Sequence, residues 1–81
     1  MVGMKNGIQT EFLEARRKLA RRIRELRKAR KWTQQELADA ADMAMRHIQR
    51  LESKKPSAIE LDSIVKLAKA FSIDTYVLLK F

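Results

Sequence analysis

Arg46, Gln49, Arg50 and Ser53 recur at intervals of three and four residues, so in a helix they share one side, and that side is a row of hydrogen-bond donors. Ala44, Ile48 and Leu51 fall on the opposite side and are all apolar. Donors on one face and hydrocarbon on the other suit recognition of a ligand rather than the breaking of its bonds. A second feature lies upstream, where ten basic residues stand between Arg16 and Lys31 with Glu25 as the one acid among them. Over the whole chain 18 Lys plus Arg face 10 Asp plus Glu, a formal charge of +8 and a pI near 10.3. Such a balance points to a polyanion, with nucleic acid ahead of an anionic membrane surface. On charge alone the run from Arg16 is equally well read as a solvated face. Catalysis has little footing: no carboxylate pair, nucleophile–base pair or phosphate-cradling loop is visible. His47 is the single histidine and there is no cysteine, so neither a metal site nor a cofactor is expected.

The donor row needs a helix, and the chain supplies the signals for two in succession. Thr33-Gln34-Gln35-Glu36 has the spacing of a capping box, which opens a helix closed at Asp42, a residue that tolerates the left-handed conformation of a tight turn. A second helix is expected just after Met43. Ala38 and Ala44 are small where the two would cross, and the pattern is that of a helix-turn-helix. Upstream, residues 1–9 contain both glycines and lack periodicity, which predicts a flexible tail. Thr10 is placed to cap a first helix reaching about Arg30, with Glu11 and Glu14 in its first turn. Its Phe12, Leu19, Ile23 and Leu26 form a core stripe, and Arg17, Arg21, Arg24 and Lys28 a basic one. Downstream, Ser53-Lys54-Lys55-Pro56 is a polar loop that no helix crosses. Ser57-Ala58-Ile59-Glu60 has the form of a second capping box, ahead of a core helix with Leu61, Ile64, Val65, Ala68 and Phe71 at helical spacing. Asp74 is placed to cap a last helix from Thr75 to about Lys80. Trp32, beside Leu26 and Leu37, is expected in the core rather than stacked on a ligand, and Met43 likewise.

Eighty-one residues make one domain, assigned to 10–81 behind the tail, with a thin core that suffices when helices pack well. Few glycines, prolines and aromatics leave little turn material for sheets, so the fold class is all-α. The absence of cysteine suits a reducing compartment. No apolar run reaches membrane-spanning length and no charged leader precedes an apolar stretch, so a soluble, cytoplasmic protein is expected.

From Leu19 to Leu79 the chain resembles the Cro/repressor type of helix-turn-helix domain. The resemblance is carried by Ile23-Arg24-x-Leu26-Arg27, Trp32-Thr33-Gln34-x-Glu36-Leu37-Ala38, Ile48-x-x-Leu51-Glu52, Pro56-Ser57 and Leu67-Ala68-Lys69-Ala70-Phe71 leading to Leu78-Leu79. It implies a five-helix, lambda-repressor-like DNA-binding fold whose second motif helix lies in the major groove of double-stranded DNA. That role falls on Ala44 through Arg50, making Met45, Arg46, Gln49 and Arg50 the candidate base contacts. Arginine bonds both acceptors of guanine, glutamine pairs with adenine, and Met45 suits a thymine methyl. For Met45 packing within the fold is an equal alternative, and for Gln49 simple solvation. The resemblance makes Gln34 a phosphate anchor, a role that suits a helix N-terminus. Lys54, Lys55, Arg21 and Arg24 are expected on phosphates. It also implies a partly buried ion pair between Arg27 and Glu52. The chain departs from the family pattern at Lys31 and Asp42, where glycine is common, at Ala44, where Ser or Thr usually caps, and in a loop before Pro56 about two residues shorter than usual. Thr10 to Lys18 extends the first helix beyond the usual module.

Three functions follow for comparison. The leading one is a sequence-specific transcriptional regulator, a repressor acting as a homodimer on an inverted repeat, with Tyr76, Val77, Phe81 and Phe12 as dimer or partner contacts. The second is an antitoxin that represses its own promoter and holds a protein toxin, suggested by the extra turns before Lys18. Membrane-surface binding through the first helix fares worst, because its apolar stripe is needed for the core.

Overall fold

The computed structural model describes residues 2–81, with side chains described for residue 7 and residues 9–81. Among the described residues there are five helices and no strand: α1 (Val2–Ala29), α2 (Gln34–Ala41), α3 (Met45–Leu51), α4 (Leu61–Ala70) and α5 (Thr75–Leu78). The architecture is the all-α, lambda-repressor-like one. One buried cluster joins them, built from Leu19 and Ile23 of α1, Leu37, Ala38 and Ala41 of α2, Ile48 and Leu51 of α3, Leu67 and Ala68 of α4, Phe71 beyond it, and Leu78 of α5. Each contribution recurs at helical spacing, and each fully buried Leu or Ile contributes about 1.5–3 kcal/mol. α2 packs on α3 and α4, and α5 packs on α4 and α1.

Three of these helices stop in the same way. Lys31, Asp42 and Ser72 sit at φ 58°, 53° and 58°, the left-handed region that L-residues enter at a cost. At each, the next residue's N–H reaches back five positions: Trp32 to Arg27 O at 3.1 Å, Met43 to Ala38 O at 2.9 Å, Ile73 to Ala68 O at 3.0 Å. These are Schellman endings, and the apolar residue after each turn packs on the core, as the motif requires. The hydrocarbon of Trp32, Met43 and Ile73 offsets the strain of turning without glycine.

Several expectations need correction. α1 does not begin at Thr10; the helix runs through that residue from Val2, so residues 2–9 have helical backbone, and Met1 lies outside the described residues. Gly3 and Gly7 weaken a helix, but no proline stops it. Phe12, expected in the core stripe, is 55% exposed, because among the described residues α1 buries side chains only from Leu19 onward. Ser57 does not cap α4, whose N-cap is Glu60 in extended backbone without a side-chain bond. Buried Pro56 and partly buried Ile59 hold that stretch against the core, so the helix starts only after them and leaves Leu61 67% exposed. Ala44 is an exposed N-cap, whereas Ala38 and Ala41 of α2 are buried. α5 ends at Leu78 rather than near Lys80, and Asp74 caps it by backbone position alone.

Candidate nucleic-acid interface

The turn between α2 and α3 fixes how α3 is presented. Thr33 Oγ1 accepts the Glu36 N–H at 3.1 Å while Glu36 Oε1 accepts the Thr33 N–H at 2.9 Å, a complete capping box. α2 is thus started by its own residues and ended by Asp42. α3 begins at the extended Ala44, whose carbonyl accepts from His47 N at 2.9 Å and Ile48 N at 3.3 Å. Ile48 and Leu51 are 0% and 2% exposed, so the inner face of α3 is sealed. Its other face is open: Arg46, Gln49 and Arg50 are exposed, Met45 is 37% exposed, and the three polar side chains make no hydrogen bond or ion pair among the described residues. Six donor-bearing atoms of two guanidinium groups, one helical turn apart, therefore face outward with an amide beside them.

Behind α3 lies an ion-pair hub. The Glu52 side chain is 3% exposed and takes Arg27 in a fork, Nε to Oε2 at 2.8 Å and Nη2 to Oε1 at 2.8 Å. Arg27 Nη1 also donates to the Trp32 carbonyl at 2.9 Å, so one side chain ties α1 to the end of α3 and to the turn before α2. The hydrogen bonds it donates to Glu52 hold the Arg27 guanidinium above its ordinary pKa, outweighing the opposing effect of burial. Arg24 joins from outside, donating to the Glu52 carbonyl at 2.6 Å, with Nε 3.7 Å from Oε1 and 42% of its side chain exposed. Gln34, the phosphate anchor implied by resemblance, is half-buried and lies with Nε2 3.4 Å from Glu52 Oε1. Gln34 and Arg24 thus both lean on the hub.

Arg21, Arg24 and Lys54 come together in a cleft of about 370 Å³ with Arg17, Ala20 and Ser53. Arg17, which the sequence places in the basic stripe without a role in the site, donates from Nε to the Lys54 carbonyl at 3.3 Å and pins the loop to α1. The signal was present in the stripe Arg17, Arg21, Arg24, but nothing in the sequence brings Ser53 and Lys54 beside it. Lys55 is exposed and does not line the cleft. Arg30 looks like one more member of the basic run, yet it is spent internally. Its guanidinium lies 4.9 Å from the Phe71 ring and 5.8 Å from that of Trp32, and it donates to the Phe71 carbonyl and to Leu26 O. Trp32 and Phe71 stack at 5.9 Å.

The expected partner contacts divide. Phe12 and Phe81 line one apolar groove, whereas Tyr76, 71% exposed, and half-buried Val77 lie outside it. The Val77 carbonyl accepts from Arg22 Nη2 at 3.3 Å.

The helix-turn-helix family matches the chain over residues 23–78, from the last two turns of α1 to the end of α5. The chain belongs to the Cro/repressor-type helix-turn-helix family, and it is a DNA-binding transcriptional regulator. No curated protein and no solved structure matches it. Among the described residues no helix is long and apolar enough to cross a membrane.

Proposed function

We propose that the protein reads double-stranded DNA through α3 and represses transcription as a homodimer on an inverted repeat, with half-sites about one helical turn, ~34 Å, apart. Arg46 and Arg50 take base edges, Met45 and Gln49 lie beside them, and Arg21, Arg24, Lys54 and Lys55 neutralise phosphates while Gln34 positions the backbone. The observation that carries this reading is the division of α3: an inner face with no accessible area to spare and an outer face whose donors have no use inside the fold. Gln34 suits its role because a 3.4 Å contact is weak and readily exchanged for a phosphate. Tyr76, Val77, Phe81 and Phe12 supply apolar area for a second subunit, three of them more than half exposed.

Selection of bound duplexes from a random pool tests the reading. A two-fold symmetric motif supports it, and salt-sensitive binding with no enriched sequence contradicts it. The antitoxin role is retained as a second reading, because α1 before residue 23 lies outside the span matched by the family. A small protein that co-purifies with the chain and lifts it from DNA would favour that reading.

A further inference from the structure

α1 is longer than the domain needs. At 1.5 Å per residue its 28 residues span about 42 Å, and the longest dimension of the whole molecule is 43 Å. Leu19 is its first buried residue among those described, and from Gln9 to Lys18 only Leu13 and Arg16 are even half-buried. This arm leads into the apolar groove between α1, the stretch before α4 and the chain end, lined by Phe12, Ala15, Leu19, Ala58, Ile59 and Phe81 with Arg16 at its edge. The groove takes no residue from α2 or α3, so it can be filled while α3 is engaged.

Two properties of the arm define its occupant. Phe12, Ala15 and Leu19 are spaced three and four apart and form a narrow apolar seam of the kind that pairs helices. The charges beside it are segregated: Glu11 and Glu14 come first, then Arg16, Arg17 and Lys18. Such an arm is complementary to itself when reversed. We infer that the arms of two copies pair antiparallel across a two-fold axis near Leu13 and Glu14, each filling the Phe12–Phe81 groove of the other. In that register Phe12 faces the small Ala15 of the second copy, and Glu11 lies on the same flank of the seam as its Lys18 and within reach of it. The parallel alternative would bring both domain bodies to the same end, beside a Leu19 that each already buries in its own core. Reversal puts the bodies at opposite ends. This rests on the homodimer reading above and names the surface that makes it.

The chain has no cysteine, so paired cysteines report the geometry directly. Phe12→Cys/Ala15→Cys, the pair that faces across the seam, should oxidise to a disulfide-linked dimer, whereas Gln9→Cys alone should stay unlinked, since antiparallel arms separate the two copies of residue 9. Cross-linking through Gln9→Cys alone, or none in the double variant, overturns the arrangement. Sedimentation equilibrium supplies the energetic arm. Phe12→Glu should raise the dimer dissociation constant about tenfold or more, and circular dichroism should stay unchanged because Phe12 is outside the core. Glu11→Lys/Glu14→Lys and Arg16→Glu/Lys18→Glu should each weaken self-association, and their mixture should restore it. A dimer indifferent to these changes but lost on Tyr76→Ala overturns the arm while leaving the dimeric regulator intact. A wild-type chain monomeric at high concentration overturns both the arm and the dimer. Failure to select any DNA sequence strikes only the regulator reading.

Discussion

At the scale of single residues the structure turns on Glu52, whose buried carboxylate takes both forks of Arg27 and stands near Arg24 and Gln34. Removing one partner of such a pair leaves the other without compensation. Glu52→Ala should therefore cost about 3 kcal/mol in urea unfolding, well beyond the loss of an exposed pair. The sign of the pH effect from Arg27 follows from the direction of its shift. Its pKa is raised by folding, so its contribution is complete below the ordinary arginine range and is lost only as pH rises through the higher folded value. Stability from this group is accordingly flat across neutral pH. The Arg27–Glu52 match was legible through family resemblance, but the involvement of Gln34 was not, because 18 residues of sequence separate it from Glu52. Arg30 was illegible for another reason: in a run of cations nothing in the sequence marks the one that turns inward over Trp32 and Phe71.

At the scale of elements, the helix ends carry both the clearest success of sequence reasoning and its clearest limits. The Thr33–Glu36 box is written in four adjacent residues and folds as written. Ser57–Glu60 has the same pattern and stays outside the helix, since burial of Pro56 and packing of Ile59 override a local cap worth about 1 kcal/mol. The positions where the family favours glycine have a direct physical reason here, as Lys31 and Asp42 both occupy the left-handed region. Lys31→Gly should stabilise the fold by roughly 0.5–1 kcal/mol, seen as a higher Tm. Asp42→Gly should gain less, because aspartate tolerates that conformation better than lysine. Ala44 offers a second gain: its backbone has N-cap angles but no side-chain acceptor, so Ala44→Ser should add about 1 kcal/mol. Gly7→Ala should raise the helicity of the α1 arm, because an added Cβ there meets nothing within 4 Å.

For the molecule as a whole, the +8 charge is not spread evenly over one face but sorted by task. Arg27 and Arg30 hold elements together, Arg17 pins a loop, and the guanidinium groups of Arg46 and Arg50 are left for a ligand. Phosphate contacts by Arg21, Arg24, Lys54 and Lys55 alone should give a slope of roughly −4 per subunit in a plot of log affinity against log salt. Fluorescence anisotropy over a salt series checks this, and Lys54→Ala should reduce the slope by about one without changing the preferred sequence. Helical class and polyanion preference were readable from spacing and charge. The reach of α1 was not, because glycines at positions 3 and 7 look like a tail until a helix is seen to pass through them.

The central claim is that α3 carries the sequence information, and the most direct measurement is the affinity of wild type and Arg46→Ala/Arg50→Ala for the selected duplex and for a scrambled one at the same salt. Losing both bidentate contacts should collapse the specificity ratio by about 2–6 kcal/mol while leaving most of the scrambled-duplex affinity in place. Equal losses on both duplexes, with the ratio preserved, would mean that these arginines serve only as charge and that the reading surface lies elsewhere.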